Sequence, residues 1–368
     1  MKINRILVKT KSKTYPILVG DKLINNLPKI LKKNNLEFKK CLIIIDKNIP
    51  TKYLSLLKFK LRNKKTFIHK FNSSEKNKNF QSVNFLLEIL LKNNFNRDDL
   101  LISVGGGIIG DVSGFVANIF KRGIKFVNIP STLLAQVDSS IGGKTGINNK
   151  YGKNLVGTFY QPNLVLSDIS LLKSLPKREK ICGYGEILKH SLISKKKIFI
   201  FLKKNYQNIL DIKSPYIEKA IKDSCNIKKN IVQKDEKESG LRKILNLGHT
   251  FAHSFEAALN FSNKLNHGEA VLLGLKNEIL FAYNKKIISK KDMLEIFDHL
   301  NSLDIKLDIN NFFKKKDIEK ILKFMKSDKK NVSLKINLIL LKKINKPILN
   351  LQFSLKDIKS FLMKVLNN

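Results

Sequence analysis

Residues 103–144 read SVGGGIIGDVSGFVANIFKRGIKFVNIPSTLLAQVDSSIGGK, and this stretch decides the fold. The apolar run Leu100–Val104 leads into it and predicts a short buried strand. Gly105, Gly106 and Gly107 follow at once, and Ile109, Val112, Val116 and Ile119 then recur at helical spacing. A strand, a glycine turn and a helix N-terminus together form a cradle for an anionic group. Glycine lets the backbone approach closely, and the free N–H groups and helix dipole favour negative charge. At the far end, Gly142 and Gly143 precede Lys144, a cation within reach of a phosphate or carboxylate.

Working outward, short apolar runs alternate with helical patterns. Strands are expected over Ile3–Val8, Tyr15–Val19, Cys41–Ile45, Thr66–Phe71, Leu100–Val104, Phe126–Ile129 and Leu164–Leu166. Helices are expected after Asp21 as a cap, after Thr51, and over Phe80–Leu91. This alternation implies a largely parallel sheet with ligands at the strand carboxyl ends, where Asp46, Gly105, Pro130 and Asp168 fall. Near Leu175–Pro176 the character changes to long helical patterns, with two late apolar runs at Ile336–Leu341 and Ile348–Phe353 that read as a hairpin or as helix segments. The expected architecture is therefore an α/β protein. Its parallel-sheet dinucleotide-binding domain spans residues 1–175, a mainly α-helical metal- and substrate-binding domain spans 176–368, and a cleft joins them.

The formal charge is +40 over 368 residues. Such a charge raises the question of nucleic acid. The lysines, however, are spread through the whole chain among Asn and Ile, and no aromatic platform or nucleic-acid motif accompanies them. Compositional bias accounts for them, and neither a nucleic-acid nor a membrane partner is expected. Cys41, Cys182 and Cys225 show no CxxC spacing and read as reduced, buried thiols. The start, MKINRILVKTKSKTYPILVG, has no long apolar run and no cleavage pattern, which predicts a cytoplasmic protein.

The second half carries metal chemistry. His249 and His253 are four apart in LNLGHTFAHSFEA and share a helix face. His267 opens a further helix in LNHGEA, and Glu186 precedes Lys189 and His190 in GYGEILKH. One carboxylate and two imidazoles make a zinc set with an open position. Glu186, His249 and His267 are the chosen ligands, with His253 beside them for proton transfer. Spacing alone leaves sets with His190, or with both His249 and His253, open. It also leaves open a purely structural role for these polar helix residues. The literal GxGxxG of Gly105–Gly110 decides nothing by itself, because it does not follow the first strand and no acidic residue lies about twenty positions on.

Taken together, GGGIIGDVSGFVA, KRGIKFVNIPSTLLAQVDSSIGGKTGIN, GKNLVGTFYQP, GYGEILKH, GLRKILNLGHTFAHSFEA and HGEAV resemble the 3-dehydroquinate synthase family, over about Asp46 to Lys330. That family is related in fold to glycerol dehydrogenase, and the cyclases that make aminocyclitol or valiolone-type rings are its nearer competitors. The resemblance implies NAD, a divalent metal (zinc, with cobalt as the alternative) and 3-deoxy-D-arabino-heptulosonate 7-phosphate as substrate. For NAD it implies Asp46, Asn48, Ser73, Ser74, Glu75, Lys76, Asn77 and Lys78, then Gly106, Gly107, Ile108, Ile109, Gly110 and Asp111. Ser131, Thr132, Lys144 and Lys153 complete the set, with Leu171, Leu172, Lys173 and Ser174 on the adenosine side. Catalytic roles are implied for His253, Lys144, Asp138, Lys189 and Arg122. Substrate contacts are implied for Asn154, Lys228, Arg242, Asn246 and Lys330. Arg122 reaches into the partner's site in the family, which implies a homodimer. Two departures stand out: Ser74 and Ala252 occupy positions where the family usually has glycine.

Overall fold

The computed structural model describes residues 3–327 and 335–367. It divides into two compact units, 1–180 with 208–238, and 181–207 with 239–368.

In the first unit a seven-stranded sheet is built from β1 (Asn4–Lys9), β2 (Thr14–Gly20), β3 (Lys40–Asp46), β4 (Lys65–Phe71), β5 (Leu100–Gly105), β6 (Lys125–Pro130) and, later in the chain, residues Leu164–Asp168. Between β6 and that last strand the chain forms a hairpin of β7 (Lys144–Asn149) and β8 (Gly152–Phe159), so Leu164–Asp168 is β9. The sheet order is β1-β2-β9-β6-β5-β3-β4. Only β1 pairs antiparallel, with β2; the other neighbours are parallel. The two-residue period of the strands sorts the core. Cys41, Ile43, Ile45, Leu100, Ile102 and Val104 join one apolar cluster. Leu42, Ile44 and Leu101 join the other. Helices α1 (Leu27–Lys33) and α2 (Thr51–Lys60) cover the first face, while α3 (Phe80–Lys92) and α4 (Gly107–Ile119) cover the second. A strand buried on both faces must be apolar throughout, which is why β3 and β5 read as continuous runs.

The chain leaves β3 toward β4 and returns to the other side of β3 as β5. The order therefore reverses between β3 and β5, and a crevice of this kind at strand carboxyl ends is the usual ligand position in doubly wound sheets. Asp46 closes β3, and Gly105–Gly107 close β5 and open α4. Asp21 does not cap the first helix as expected. The chain enters a 3-10 turn, Leu23–Asn26, through Lys22 at φ 53, and no side chain caps it. The backbone N–H of Ile24 instead donates to Asp168 Oδ2 at 2.9 Å.

After β9 come α5 (Lys177–Leu192), α6 (Lys196–Leu210) and α7 (Tyr216–Lys234). The expected division at 175/176 and the observed units differ over 176–180 and over 208–238, where α7 belongs with the α/β unit. Its buried face includes Ala220, Ile221, Cys225 and Lys228. That face packs on β1, β2 and the π-helical turn Ala135–Ser139. An amphipathic pattern states that a helix has a buried side, not which unit receives it.

The second unit contains α8 (His249–Ala258), α9 (His267–Asn284), α10 (Lys290–Ser302), α11 (Ile318–Ser327), a hairpin of β10 (Lys335–Lys343) and β11 (Lys346–Ser354), and α12 (Leu355–Val365). The late apolar runs are thus a hairpin. Phe361 of α12 packs against the rings of Phe251 and Phe281. No described helix is long and apolar enough to cross a membrane.

Candidate active site: a dinucleotide cradle and a metal centre

In the first unit the glycine turn is built for close approach. A Cβ on Gly106 would meet Thr132 Cγ2 at 3.2 Å, and one on Gly107 would meet Ser139 Oγ at 3.2 Å. Ile108, Ile109 and Gly110 form the first turn of α4, and Ser131 N donates to Gly105 O at 2.9 Å. Thr132 Oγ1 accepts from Ala135 N at 3.1 Å. Asp46 Oδ1 accepts from Asn48 N at 2.9 Å, which turns the chain at the end of β3.

Ser73–Lys78 follow β4. Ser74 sits in extended backbone (φ −140), and its hydroxyl accepts from Asn77 N, capping a 3-10 turn over Glu75–Asn77. No left-handed geometry demands glycine there, so serine fits. Ser73 Oγ is buried without a hydrogen bond among the described residues, while Lys76 is exposed. Glu75 pairs with Lys153 at 3.3 Å and accepts from Asn148. Lys78 is buried, and its Nζ donates to Asp111 Oδ2 and to Asn154 Oδ1, each at 2.5 Å. It joins a residue implied for NAD to one implied for substrate. Burial pushes the Asp111 carboxyl up even against the nearby Lys78 charge. Leu171 and Leu172 are buried in the turn after β9, Lys173 is exposed, and Ser174 Oγ donates to Leu171 O.

Asp138 lies in the π-helical turn, a geometry enriched at functional sites. Lys228 of α7 donates to both its carbonyl and its Oδ1, at 2.7 Å each. Lys144 forms an ion pair with Glu238, a residue the sequence reading did not single out. Arg122 is exposed, at φ 62 between Lys121 (φ 47) and Gly123 (φ 125). It borders an open hollow of about 550 Å³ with Lys13, Arg97 and Lys125. Asn154, also left-handed at φ 55, receives no strain relief from glycine, and its N–H donates to Asn148 Oδ1.

In the second unit Glu186, His249 and His267 converge, with one donor atom from each within 4.8 Å of the others. Glu186 is fully buried, and neither carboxylate oxygen has a hydrogen bond among the described residues. Lys189, one turn on and also buried, forms an ion pair with it. His249 Nε2 stands 3.5 Å from Glu186 Oε1, while its Nδ1 contacts Leu247 O at 3.1 Å. His267 Nδ1 donates to Glu256 Oε2 at 3.1 Å. Each imidazole thus has one nitrogen committed to an oxygen acceptor, which directs the other outward as a ligand. Burial holds the His249 imidazole well below its ordinary range, and the charges of Lys189, His253 and His267 add to this. Burial also acts against protonation of His267, but Glu256 and Glu186 outweigh it and raise that group to about 9. The donor set, the buried carboxylate and the oriented rings all fit a zinc-type ion.

His253 is exposed beside this cluster, its ring centroid 5.3 Å from that of His249. Arg242 is buried in the 3-10 turn Leu241–Asn246, which Asn246 ends. Ala252 is accommodated because α9 places Gly274 opposite it; a Cβ at Gly274 would come 3.2 Å from that of Ala252. Lys330 lies outside the described residues. Glu256 and Glu278 had not been singled out from sequence. Glu256 was findable, being three residues after His253 and so on the same helical face.

Two family models, 3-dehydroquinate synthase N-terminal and 3-dehydroquinate synthase C-terminal, match residues 68–182 and 183–331. The 3-dehydroquinate synthase of Pelagibacter ubique (strain HTCC1062) is 57% identical over 366 residues, covering 100% of both chains. Among solved structures, 2-deoxy-scyllo-inosose synthase complexed with carbaglucose-6-phosphate, NAD+ and Co2+ superposes with a TM-score of 0.89. It is 24% identical, with 99% of this chain and 100% of that one covered. The 2-epi-5-epi-valiolone synthase of Streptomyces hygroscopicus subsp. jinggangensis 5008, with NAD+ and Zn2+ bound, gives a TM-score of 0.85 at 22% identity, covering 97% and 98%.

Proposed function

The chain belongs to the 3-dehydroquinate synthase family, and from that premise we infer that it converts 3-deoxy-D-arabino-heptulosonate 7-phosphate into 3-dehydroquinate and phosphate. The course is transient oxidation at C5, loss of phosphate, re-reduction and intramolecular aldol closure, with NAD returned unchanged. This is an early step of aromatic amino-acid biosynthesis. The observation that carries the reading is the convergence of Glu186, His249 and His267 with the second nitrogen of each ring already engaged.

Those three residues would hold a divalent cation, zinc or cobalt, which supplies Lewis acidity for the substrate hydroxyls. The glycine turn with Asp46, Glu75, Lys78 and Asp111 would hold NAD, which would supply a reversible hydride acceptor. The remaining work falls to the chain's own side chains. His253, exposed beside the cluster, takes and returns a proton. Lys144, Arg122 and Asn154 bind the phosphate, and Lys189 balances the charge of Glu186. Arg242, Asn246 and Lys228 take the substrate carboxylate and hydroxyls. Lys228, already on Asp138, fixes that carboxylate for a hydroxyl contact.

The enzyme works in the cytoplasm as a homodimer in this reading. Arg122 is exposed, as a residue that enters a partner's site must be in the single chain. Phosphate release by the metal-loaded protein tests the assignment. A chelator and Glu186→Gln should each lower it about a thousandfold. Release untouched by both would remove the metal from the mechanism, and a solution mass of one chain at working concentration would remove the dimer.

A further inference from the structure

We propose that Glu256 and Glu278, two carboxylates outside the ligand set, are positioning residues that hold the two imidazoles of the metal centre and set its affinity for the cation. The inference rests on the metal reading above and concerns what surrounds the ligands.

The arrangement is crossed. Helix α8 begins with His249 and carries Glu256 two turns later; α9 begins with His267 and carries Glu278 three turns later. Glu256 of α8 accepts from Nδ1 of His267 on α9 at 3.1 Å. Glu278 of α9 accepts from the backbone N–H of Gly248, the N-cap of α8, at 2.5 Å. Each helix therefore supports the ligand at the start of the other. Both carboxylates are buried, at 8% and 1% exposure, where an unneeded charge is costly.

Their chemistry differs. A carboxylate on Nδ1–H fixes the tautomer that leaves Nε2 for the metal and makes the ring a stronger donor. Glu256 supplies this to His267. Glu278 acts through the backbone. Gly248 lies at φ 82 and offers no side-chain cap, so the first N–H groups of α8 lack the usual acceptor. Glu278 takes that role and places negative charge at the positive end of the helix. His249 is the next residue, and its Nδ1 leans on Leu247 O from the same turn. The helices touch closely here: a Cβ on Gly274 would lie 2.2 Å from Gly248 O, and one on Gly248 would lie 2.8 Å from Leu275. With so little room, the Glu278 contact fixes the start of α8 and with it the bearing of His249.

The test uses the full chain stripped of metal and titrated with cobalt(II). Visible absorption reports ligand geometry, and competition with a chelator gives the dissociation constant. Glu256→Ala and Glu278→Ala should each weaken cobalt binding by about 10- to 100-fold and alter the spectrum. Glu256→Gln keeps an acceptor for Nδ1–H and should recover part of the loss. A merely structural role would lower the melting temperature and leave the affinity of the folded protein unchanged. Should the alanine variants fail to fold, the near-isosteric Glu256→Gln and Glu278→Gln decide. Folded variants that bind cobalt within twofold of wild type, with the wild-type spectrum, would overturn the proposal. Wild-type protein that takes up no cobalt sensitive to Glu186→Gln would instead overturn the metal reading beneath it.

Discussion

The glycine turn between β5 and α4 and the cluster at the starts of α8 and α9 are both helix N-termini prepared for ligands, and they are prepared in opposite ways. At the first, side chains are withdrawn: Gly106 and Gly107 begin α4, where a Cβ on either would meet Thr132 or Ser139 at 3.2 Å. At the second, side chains are crowded in: Glu186, Lys189, His249, Glu256 and Glu278 are all buried. In the proposed reading the first site depends on small residues, so a side chain added there should block the cofactor without harming the fold. The second works by balanced buried charge, so removing one partner leaves another uncompensated. Glycine also means different things in the two regions. A Cβ at Gly107 would meet the side chain of Ser139 at 3.2 Å, whereas one at Gly268 would lie 2.2 Å from Cys182 Cα, so Gly268 lets α9 pack on α5.

The largest effect is expected at the charged cluster. Glu186→Gln should lower phosphate release about a thousandfold, because metal polarisation is worth several kcal/mol. Steady-state phosphate detection measures it, and a loss under tenfold would mean that the cluster is not the reacting centre.

Burial should also make the second unit sensitive to acid away from the metal. His299 is 1% exposed, accepts or donates at 2.7 Å with Tyr184 Oη, and is held at about 4 by burial, with Lys203 adding to it. Its folded value lies below the unfolded one, so the unfolded chain binds the extra proton first. Stability is therefore full above about 6.5 and falls as pH drops toward 4, by roughly 3 kcal/mol. Urea unfolding of wild type and His299→Gln across that range should show a steeper slope in the wild type, since His249 contributes in both; parallel slopes would exclude a share from His299.

A pair of glycine variants contrasts the two regions directly. Gly268→Ala should destabilise by about 1–3 kcal/mol through overpacking. Gly107→Ala should change stability by less than about 1 kcal/mol yet weaken NAD binding at least about tenfold, or 1.4 kcal/mol. Denaturant midpoints and NAD titration separate these outcomes, and intact NAD binding in Gly107→Ala would detach the turn from the cofactor. The smallest effect is expected at Ser74. Its extended backbone suits serine, so Ser74→Gly should cost only a few tenths of a kcal/mol.

What the sequence made legible follows from the same contrast. Strands such as Lys40–Asp46 and Leu100–Gly105 were readable because burial on both faces demands unbroken apolar runs. The hairpin of β7 and β8 was not, because its glycines look like loop. Gly157 is in fact required by contact, with Thr145 O only 2.1 Å from where its Cβ would be. Spacing presented several histidine sets equally, and only three-dimensional placement says which donors come near one another. Within the second unit, Glu186, His249 and His267 are the described group whose donors approach within 4.8 Å. Long-range partners leave no local trace: Lys228 reaches Asp138 across 90 positions, and Glu278 reaches Gly248 across 30.

The central claim is that both preparations serve one reaction in which NAD is used and returned. Purified protein, zinc, NAD and 3-deoxy-D-arabino-heptulosonate 7-phosphate should yield phosphate and 3-dehydroquinate in equal amounts, with no accumulation of NADH over many turnovers. NADH rising in step with substrate consumption would instead mark a dehydrogenase, and folded, metal-loaded protein that releases no phosphate would contradict the account outright.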